Sequence, residues 1–262
     1  MSTSTLSATR ALARREFLRS IRSPAMTIQS VVFPAVLLMV LLAVFGTAVG
    51  DLDRQPYVQR IGPALIISGA AFGSLAAAVG LFVDRTTGMF SRLRTMPLSG
   101  RLGAASPVLA RSISEHLRVA GVAVVITAVA AAFGFRFHNG FAPAIGFFAV
   151  AVVGGSCYCW IGFALAARAT SQEAVVPAVS ALFLVMLFVS RGMVPVDAFP
   201  NWVQPLVRVL PSSVMVHALQ RLANGGPLVA PIIGAIAWTV AITVVFGALT
   251  LRSLSRQAHR SV

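Results

Sequence analysis

The sequence contains no lysine, and acidic residues are scarce. All 21 basic residues are arginine, only seven residues are Asp or Glu, and 11% of the 262 residues are charged. A soluble domain carries roughly 25% charge. Because 57% of this chain is hydrophobic, the composition is typical of a polytopic membrane protein. The missing lysine excludes a P-loop ATPase, whose Walker A lysine must reach the β- and γ-phosphates.

Patterns that would carry catalysis or hold a metal are also missing. The two cysteines, Cys157 and Cys159, lie in an apolar run, and positions i and i+2 of a helix point to different faces. Neither a disulfide nor a metal site is therefore predicted. No HExxH, GxSxG or Ser–His–Asp arrangement occurs. We expect no catalytic centre, no metal and no cofactor in this chain, which predicts that it is not an enzyme.

Long apolar runs predict six membrane spans, because a transmembrane helix needs about 20 apolar residues. We expect an all-α integral membrane fold, with residues 23–262 forming one six-helix domain. Glu115 and Arg118, spaced i,i+3, can pair with each other and are expected near the end of the third span. The predicted spans are 25–49, 61–83, 113–135, 142–167, 174–192 and 228–251.

The arginine distribution predicts the orientation of these spans. With the N-terminus inside, fifteen arginines fall in inner segments and six in outer segments. Since cytoplasmic loops of membrane proteins are enriched in arginine and lysine, both termini and the loop at 84–110 are predicted to be cytoplasmic. The net charge of +14 would suggest nucleic acid in a soluble chain. Here we attribute it to topology, and no nucleic-acid partner is expected.

Residues 1–22 predict an amphipathic helix on the inner membrane surface. Apolar residues including Phe17 share one arc at helical spacing, and arginines occupy the rest of the wheel, as in helices that lie on anionic lipid. The segment ARREFLRS also resembles a twin-arginine export signal. The following apolar run is too long for a signal peptide, and five more spans follow. The candidate interfacial residues are Arg14, Arg15, Phe17 and Arg22.

Residues 194–226 predict a pair of short outer helices between spans five and six. One is expected at about 201–210, after Pro200, and the other at about 212–223, between Pro211 and the sequence Asn-Gly-Gly. Both are too short to cross a bilayer at 1.5 Å rise per residue. We therefore expect re-entrant or interfacial helices, with Trp202 at the membrane–water interface.

The cytoplasmic stretch DRTTGMFSRLRTMPLSGR, residues 84–101, separates two apolar runs. Gly88 and Pro97 interrupt the helices, and the piece between them has an apolar side and several arginines. Such a short amphipathic helix can dock in a groove of a partner protein and contact its carboxylates. A solvated, positively charged loop is the alternative. The candidate coupling residues are Asp84, Arg85, Gly88, Arg92, Leu93, Arg94, Pro97 and Arg101.

Taken in order along the chain, these features resemble the membrane subunits of ABC-2 type exporters. The six spans, the first helix ending in Arg22-Ser23-Pro24 and the basic loop after span two match that family, with Asp84 where Glu is more frequent. GFRFHNG at 134–140 and RGMVPVDAFPNWVQPLVRVLPSSVMVHALQRL at 191–222 resemble daunorubicin-resistance permeases and mycobacterial relatives that export phthiocerol dimycocerosate lipids. The resemblance covers nearly the whole chain and implies an actinobacterial plasma-membrane protein.

The resemblance implies one membrane half of an ATP-driven exporter of hydrophobic or amphiphilic substrates. Two such halves, identical or paralogous, would pair in the lipid membrane. Two separate ATPase subunits would bind ATP and Mg²⁺ and contact both the coupling helix and the N-terminal helix. The halves would meet through spans one and five. That arrangement nominates substrate-path residues, with plain packing or lipid contact as the alternative: Phe33, Pro34, Met39, Met186, Phe188 and Arg191.

Other classes of function predict features that the sequence shows weakly. An autonomous channel or secondary carrier needs ionisable groups or broken helices at mid-membrane, and Pro34 and Pro177 are the nearest interruptions. A scaffold or intramembrane enzyme needs a buried polar constellation. Import, or export of lipid-linked polymers through an aromatic channel, is the alternative within the exporter class. The aromatic residues, 17 Phe with 3 Trp and 2 Tyr, are scattered.

Overall fold

The computed structural model of the chain describes residues 32–44, 57–88 and 106–260. Within these ranges every regular element is helical and no strand occurs, so the all-α fold class is confirmed. A 3-10 turn, Val196–Ala198, lies between the sixth and seventh helices. The helices are α1 (Val32–Val44), α2 (Tyr57–Thr86), α3 (Ser106–Ala132), α4 (Phe141–Ser156), α5 (Tyr158–Ala166), α6 (Gln172–Phe188), α7 (Gln204–Val209), α8 (Pro211–Asn224) and α9 (Val229–Arg260).

Four helical stretches are long and apolar enough to cross a membrane. They are α2, most of α3, the combined length of α4 and α5, and α9 as far as Leu254. At the first and fifth predicted positions lie α1 and α6, which are shorter apolar helices. The six-span arrangement therefore stays a prediction.

The helix α3 begins earlier than the predicted third span. The helix begins at Ser106, well before residue 113, so Glu115 and Arg118 lie inside it rather than near its end. Both side chains are buried in the bundle, where they pair with each other. A polar turn in the sequence can therefore lie inside a helix of the bundle.

The central helix of the bundle is α2. It packs against α3, α4, α5, α6 and α8, and 67% of its apolar window is buried, compared with 17% for α9. The apolar side chains of α9 mostly face outward, as suits a helix in contact with lipid. Both the apolar groove and the polar cavity of the bundle are accordingly lined in part by α2.

Proline, glycine and serine set the helix ends around the sixth to eighth helices. Ser171 caps α6, its Oγ accepting from the Ala174 N–H at 3.3 Å. Pro211 occupies the first turn of α8, and Gly225, with a φ of 94°, follows its last residue. The short helices α7 and α8 thus lie close to where the proline and glycine signals predict them. Their re-entrant placement stays a prediction.

Close approach between α2 and α3 depends on two glycines of α2. A β-carbon at Gly73 would overlap the guanidinium of Arg118, and one at Gly80 would overlap that of Arg111. Each glycine therefore provides the space that a buried arginine of α3 occupies. A larger residue at either position would require the guanidinium of the facing arginine to move.

We expect Gly73→Ala to destabilise the protein by about 3 kcal/mol or more, because the displaced Arg118 would be a buried charge without its partners. Thermal unfolding of the purified protein in detergent measures this. Gly121→Ala is the matched control, since nothing lies within 4 Å of a β-carbon at that exposed position of α3. The control should be neutral or stabilising by up to about 1 kcal/mol. Equal Tm values for the two variants would contradict the packing argument.

Candidate functional site

The first coupling candidates lie at the end of α2, where the predicted cytoplasmic loop begins. Asp84 is buried and forms a salt bridge with Arg111 of α3. Gly88 has a φ of 72°, a left-handed conformation that glycine adopts without strain, and it follows directly on the last turn of α2. This agrees with the expectation that Gly88 interrupts the long helix. The other coupling candidates, Arg92, Leu93, Arg94, Pro97 and Arg101, lie outside the described residues.

Arg85 connects the same end of α2 to the segment between α5 and α6. Its guanidinium donates hydrogen bonds to the carbonyls of Ala167, at 2.7 Å, and Ala169, and it lies 5.1 Å from the ring centroid of Phe82. The Ser253 hydroxyl of α9 donates to the Ala167 carbonyl as well, at 2.9 Å. The Ala167 carbonyl thus accepts hydrogen bonds from both α2 and α9.

A second buried ion pair lies further along α3. The Arg118 guanidinium donates to Glu115 at 2.8 and 2.9 Å and to the Ala70 carbonyl of α2 at 2.9 Å. Both side chains are only 7% exposed. The i,i+3 pair expected from the sequence is therefore present, and it faces the interior of the bundle. We call Asp84, Arg111, Glu115 and Arg118 the charge layer.

The charge layer is the feature that sequence reasoning missed. The sequence alone places its acids and arginines near the ends of spans. The sequence nevertheless contains a signal that these residues pack between helices. Gly73 and Gly80 are seven residues apart, as are Arg111 and Arg118, and seven residues make about two helical turns. A matched spacing of small and large residues on two neighbouring helices indicates that they pack face to face.

Two substrate-path candidates line an apolar groove of about 430 Å³ between α1, α2 and α6. Phe33 and Pro34 line it from α1, Phe72 and Val79 from α2, and Val176 from α6. Phe33 is 48% exposed, and its ring meets that of Phe72 edge to face, with centroids 5.9 Å apart. The groove is therefore a surface to which an apolar molecule could bind.

The remaining path candidates do not line this groove. Met39 and Phe188 are exposed and Met186 is half-buried. Arg191 lies at the opposite end of the bundle from Asp84, where it lines a polar cavity of about 290 Å³. The structure thus brings Phe33 to one cavity and Arg191 to another. The interfacial-helix candidates, Arg14, Arg15, Phe17 and Arg22, fall outside the described residues.

In this polar cavity, burial and neighbouring positive charges lower the pKa values of a histidine and an arginine. Burial, followed by the charges of Arg191 and Arg221, lowers the pKa of His217 to about 4. Burial and the nearby Arg221 and Arg208 lower the pKa of Arg191, while Asp197 acts in the opposite direction. His217 is accordingly neutral near pH 7, and its Nε2 accepts a hydrogen bond from Nε of Arg221 at 3.2 Å.

No metal site accompanies these features in the part of the chain that the structure describes. No three His, Cys, Asp or Glu side chains there lie close enough together to hold an ion. The described residues instead form three features. They are a salt bridge where the predicted cytoplasmic loop leaves α2, an apolar groove, and a cavity lined by arginines.

We expect Asp84→Asn to lower the free energy of unfolding by about 3–5 kcal/mol, because it leaves Arg111 buried and charged beside a neutral amide. Thermal unfolding in detergent is the measurement. Asp197→Asn serves as the control. Asp197 forms an ion pair with Arg208 at 3.8 Å, and the side chains of Asp197 and Arg208 are 91% and 61% exposed. Loss of this pair should change the free energy of unfolding by about 1 kcal/mol or less. A drop in Tm for Asp84→Asn no larger than for the control would show that the buried pair is not stabilising.

The depressed pKa of His217 predicts a pH dependence of stability. In the unfolded chain the imidazole protonates near its ordinary pKa of about 6.5, and in the folded chain only near 4. The unfolded state therefore binds more protons between these values, and stability falls as the pH falls from 6.5 to 4. His217→Gln should lose this part of the dependence. Tm measured against pH for both proteins tests the expectation, and identical curves would contradict it.

Comparison with known proteins gives a consistent answer. The family model of the ABC-2 type transporter matches residues 7–223. A probable doxorubicin resistance ABC transporter permease protein, DrrC, of Mycobacterium tuberculosis is 30% identical over 224 residues, which cover 83% of this chain and 77% of the relative. The daunorubicin resistance ABC transporter permease protein DrrB1 of Streptomyces coeruleorubidus is 25% identical over 237 residues, covering 90% and 82%.

A further relative is the doxorubicin resistance permease DrrB of Mycobacterium tuberculosis, 25% identical over 208 residues that cover 76% of this chain and 70% of the relative. All three relatives are named as permeases. A permease subunit is non-catalytic, and ATP is hydrolysed by a separate subunit. The resemblance seen in the sequence motifs is thereby confirmed, and this chain belongs to the ABC-2 type transporter family.

Proposed function

We propose that this chain is the membrane half of an ATP-driven exporter that moves hydrophobic or amphiphilic molecules, drug-like compounds or lipids, across the plasma membrane. Residues 84–110 would dock on a separate ATPase subunit, which would bind ATP and Mg²⁺. A second permease half, identical or paralogous, would complete the transporter. Six spans with both termini in the cytoplasm agree with the arginine distribution, and membership of the family supports the assignment.

The observation that carries this proposal is the attachment of the loop at 84–110 to the bundle. Asp84 at the end of α2 is paired with Arg111 near the start of α3, so the two helices that flank the loop are joined directly. Arg85 also joins α2 to the segment between α5 and α6, because its guanidinium donates hydrogen bonds to two carbonyls there. Force applied to such a loop is transmitted to α2 and α3 together, rather than being lost in a flexible connection.

The mechanism follows from this connection. ATP binding would close the two ATPases and displace the coupling segments. The helix pairs α2–α3 would move with them, and the seam between the two permease halves would open outward. An apolar molecule gains little by crossing the membrane, and its barrier lies in leaving one leaflet. Hydrolysis would then reset the transporter.

The proposed cargo agrees with the surfaces beside that seam. The groove between α1, α2 and α6 is lined mostly by apolar side chains, and Met and Phe make adaptable apolar surfaces. Large apolar side chains of α1 and α6 are exposed, which suits a second permease half. The printed names of the relatives concern resistance to doxorubicin or daunorubicin, which supports drug-like substrates.

An autonomous secondary carrier or channel is the second candidate. The observation in its favour is the charge layer, because ionisable groups inside a membrane bundle commonly mark ion paths. Against it, each acid of the layer is paired with an arginine. In addition, none of the four residues lines the groove or the polar cavity.

The double change Arg92→Glu and Arg94→Glu should uncouple the ATPase, because it reverses the charges offered to partner carboxylates. We would co-purify the tagged chain with the ATPase encoded beside it and measure ATP hydrolysis. Stimulation should fall to the level of the ATPase alone. Arg208→Glu, an exposed arginine at the opposite end of the bundle, is the control and should leave stimulation unchanged.

Full stimulation and transport by the double variant, at normal expression, would remove the coupling role. A chain that binds no ATPase at all would contradict the exporter proposal. Flux of protons or ions into liposomes containing this chain alone would then support the carrier or channel.

A further inference from the structure

The polar cavity lies between three parts of the chain at the end of the bundle opposite the charge layer. Arg60 and Gln59 reach it from α2, Arg191 from the turn after α6, and His217 and Arg221 from α8. The elements are fixed to one another by hydrogen bonds. Gln220 Nε2 donates to the Arg60 carbonyl at 3.1 Å, and the Arg191 N–H donates to the Ser213 hydroxyl at 3.1 Å. The cavity is thus a built feature of the fold.

Two arginines that line this cavity, Arg191 and Arg221, carry positive charge without a paired acid among the described residues. Its described lining residues include three arginines and neither Asp nor Glu. Arg191 and Arg221 form no salt bridge with any described acid. The nearest acid whose charge acts on Arg191 is Asp197, which is exposed and lies 3.8 Å from Arg208. Holding like charges close together without counter-charges is unfavourable, and a bound anion would relieve it.

A neutral side chain positions one of these donors. His217 accepts from Nε of Arg221, which fixes the guanidinium without neutralising it and leaves its terminal nitrogens free of that bond. Gln59 is 2% exposed, and its Nε2 donates to the Arg136 carbonyl at 2.9 Å, so it joins the start of α2 to the segment that follows α3.

We propose that this cavity binds a phosphate-type oxyanion, either inorganic phosphate or the phosphate of a lipid headgroup. Several guanidinium groups on one cavity suit an anion with several oxygens, since arginine binds phosphate through two donors at once. A cavity of about 290 Å³ is at the small end of ligand sites and fits a headgroup rather than a whole drug molecule.

The position in the fold supports a ligand at the level of lipid headgroups. Trp202, on the same outer segment, is 82% exposed, as is typical of a tryptophan at the membrane–water interface. This site does not depend on the export proposal, because it is defined by residues remote from the coupling loop. Binding can be measured without an ATPase, so failure of one proposal is distinguishable from failure of the other.

The test uses the full-length chain in nanodiscs. In the first arm, inorganic phosphate is titrated into protein in phosphatidylcholine nanodiscs, and binding is followed by calorimetry. In the second arm, a fluorescent phosphatidylglycerol is titrated into the same nanodiscs. We expect saturable binding in at least one arm, and Arg191→Gln should weaken it about tenfold or more, because a hydrogen bond to a charged group is lost. Binding in both arms would assign the site to either phosphate source, and binding in the second alone would assign it to a lipid headgroup.

Three controls make the result specific. Arg208→Gln removes an exposed arginine from the same end of the molecule without touching the cavity, and it should leave the affinity within about twofold. Arg191→Lys keeps the charge but loses the two-donor geometry, so its affinity should lie between wild type and Arg191→Gln.

A bound anion should also raise the pKa of His217 above its value of about 4, as followed by NMR of labelled histidine. Absence of saturable binding in both arms, or equal weakening by Arg191→Gln and Arg208→Gln, would overturn the proposal.

Discussion

Four charges inside an apolar bundle are the constraint on which the packing of this protein depends. A charge at membrane depth is tolerated only when it is paired or faces the interior. Asp84 with Arg111 and Glu115 with Arg118 meet that condition, and Gly73 and Gly80 make the room. The pair between Asp84 of α2 and Arg111 of α3, together with the hydrogen bond from Arg118 to the Ala70 carbonyl of α2, determines which faces of the two helices meet.

The two ends of the bundle differ in how they treat charge. Near the coupling loop, Asp84 and Arg111 are paired, and the Arg85 guanidinium is bound by carbonyls. At the far end, Arg191 and Arg221 lie close together without a described acid to pair with. The first arrangement fixes α2 against α3 and against the segment between α5 and α6. The second leaves positive charge without a paired acid, so the two ends of the same central helix differ in electrostatic character.

The sequence predicts most of the helices, because apolar runs and the Pro and Gly signals around α8 are local properties. It predicts less about α3, since the polar turn containing Arg111 and Glu115 indicates a span end unless its partners on α2 are known. The candidate site is likewise predictable from the sequence only in part. Phe33 was nominated through the resemblance, and its groove becomes visible only when three helices are assembled. Likewise, the isolated arginines of the sequence do not reveal that Arg191 and Arg221 share a cavity.

The unequal charge content of α3 and α9 has a consequence for how the protein is made. Only 17% of the apolar window of α9 is buried, so this helix can enter the bilayer during synthesis on the strength of its own side chains. By contrast, α3 carries Glu115 and Arg118 within its length. A charge at the centre of a membrane helix opposes insertion by roughly 2.5–3.5 kcal/mol. We therefore expect α3 to enter the lipid against α2, where Gly73 leaves room for the Arg118 side chain.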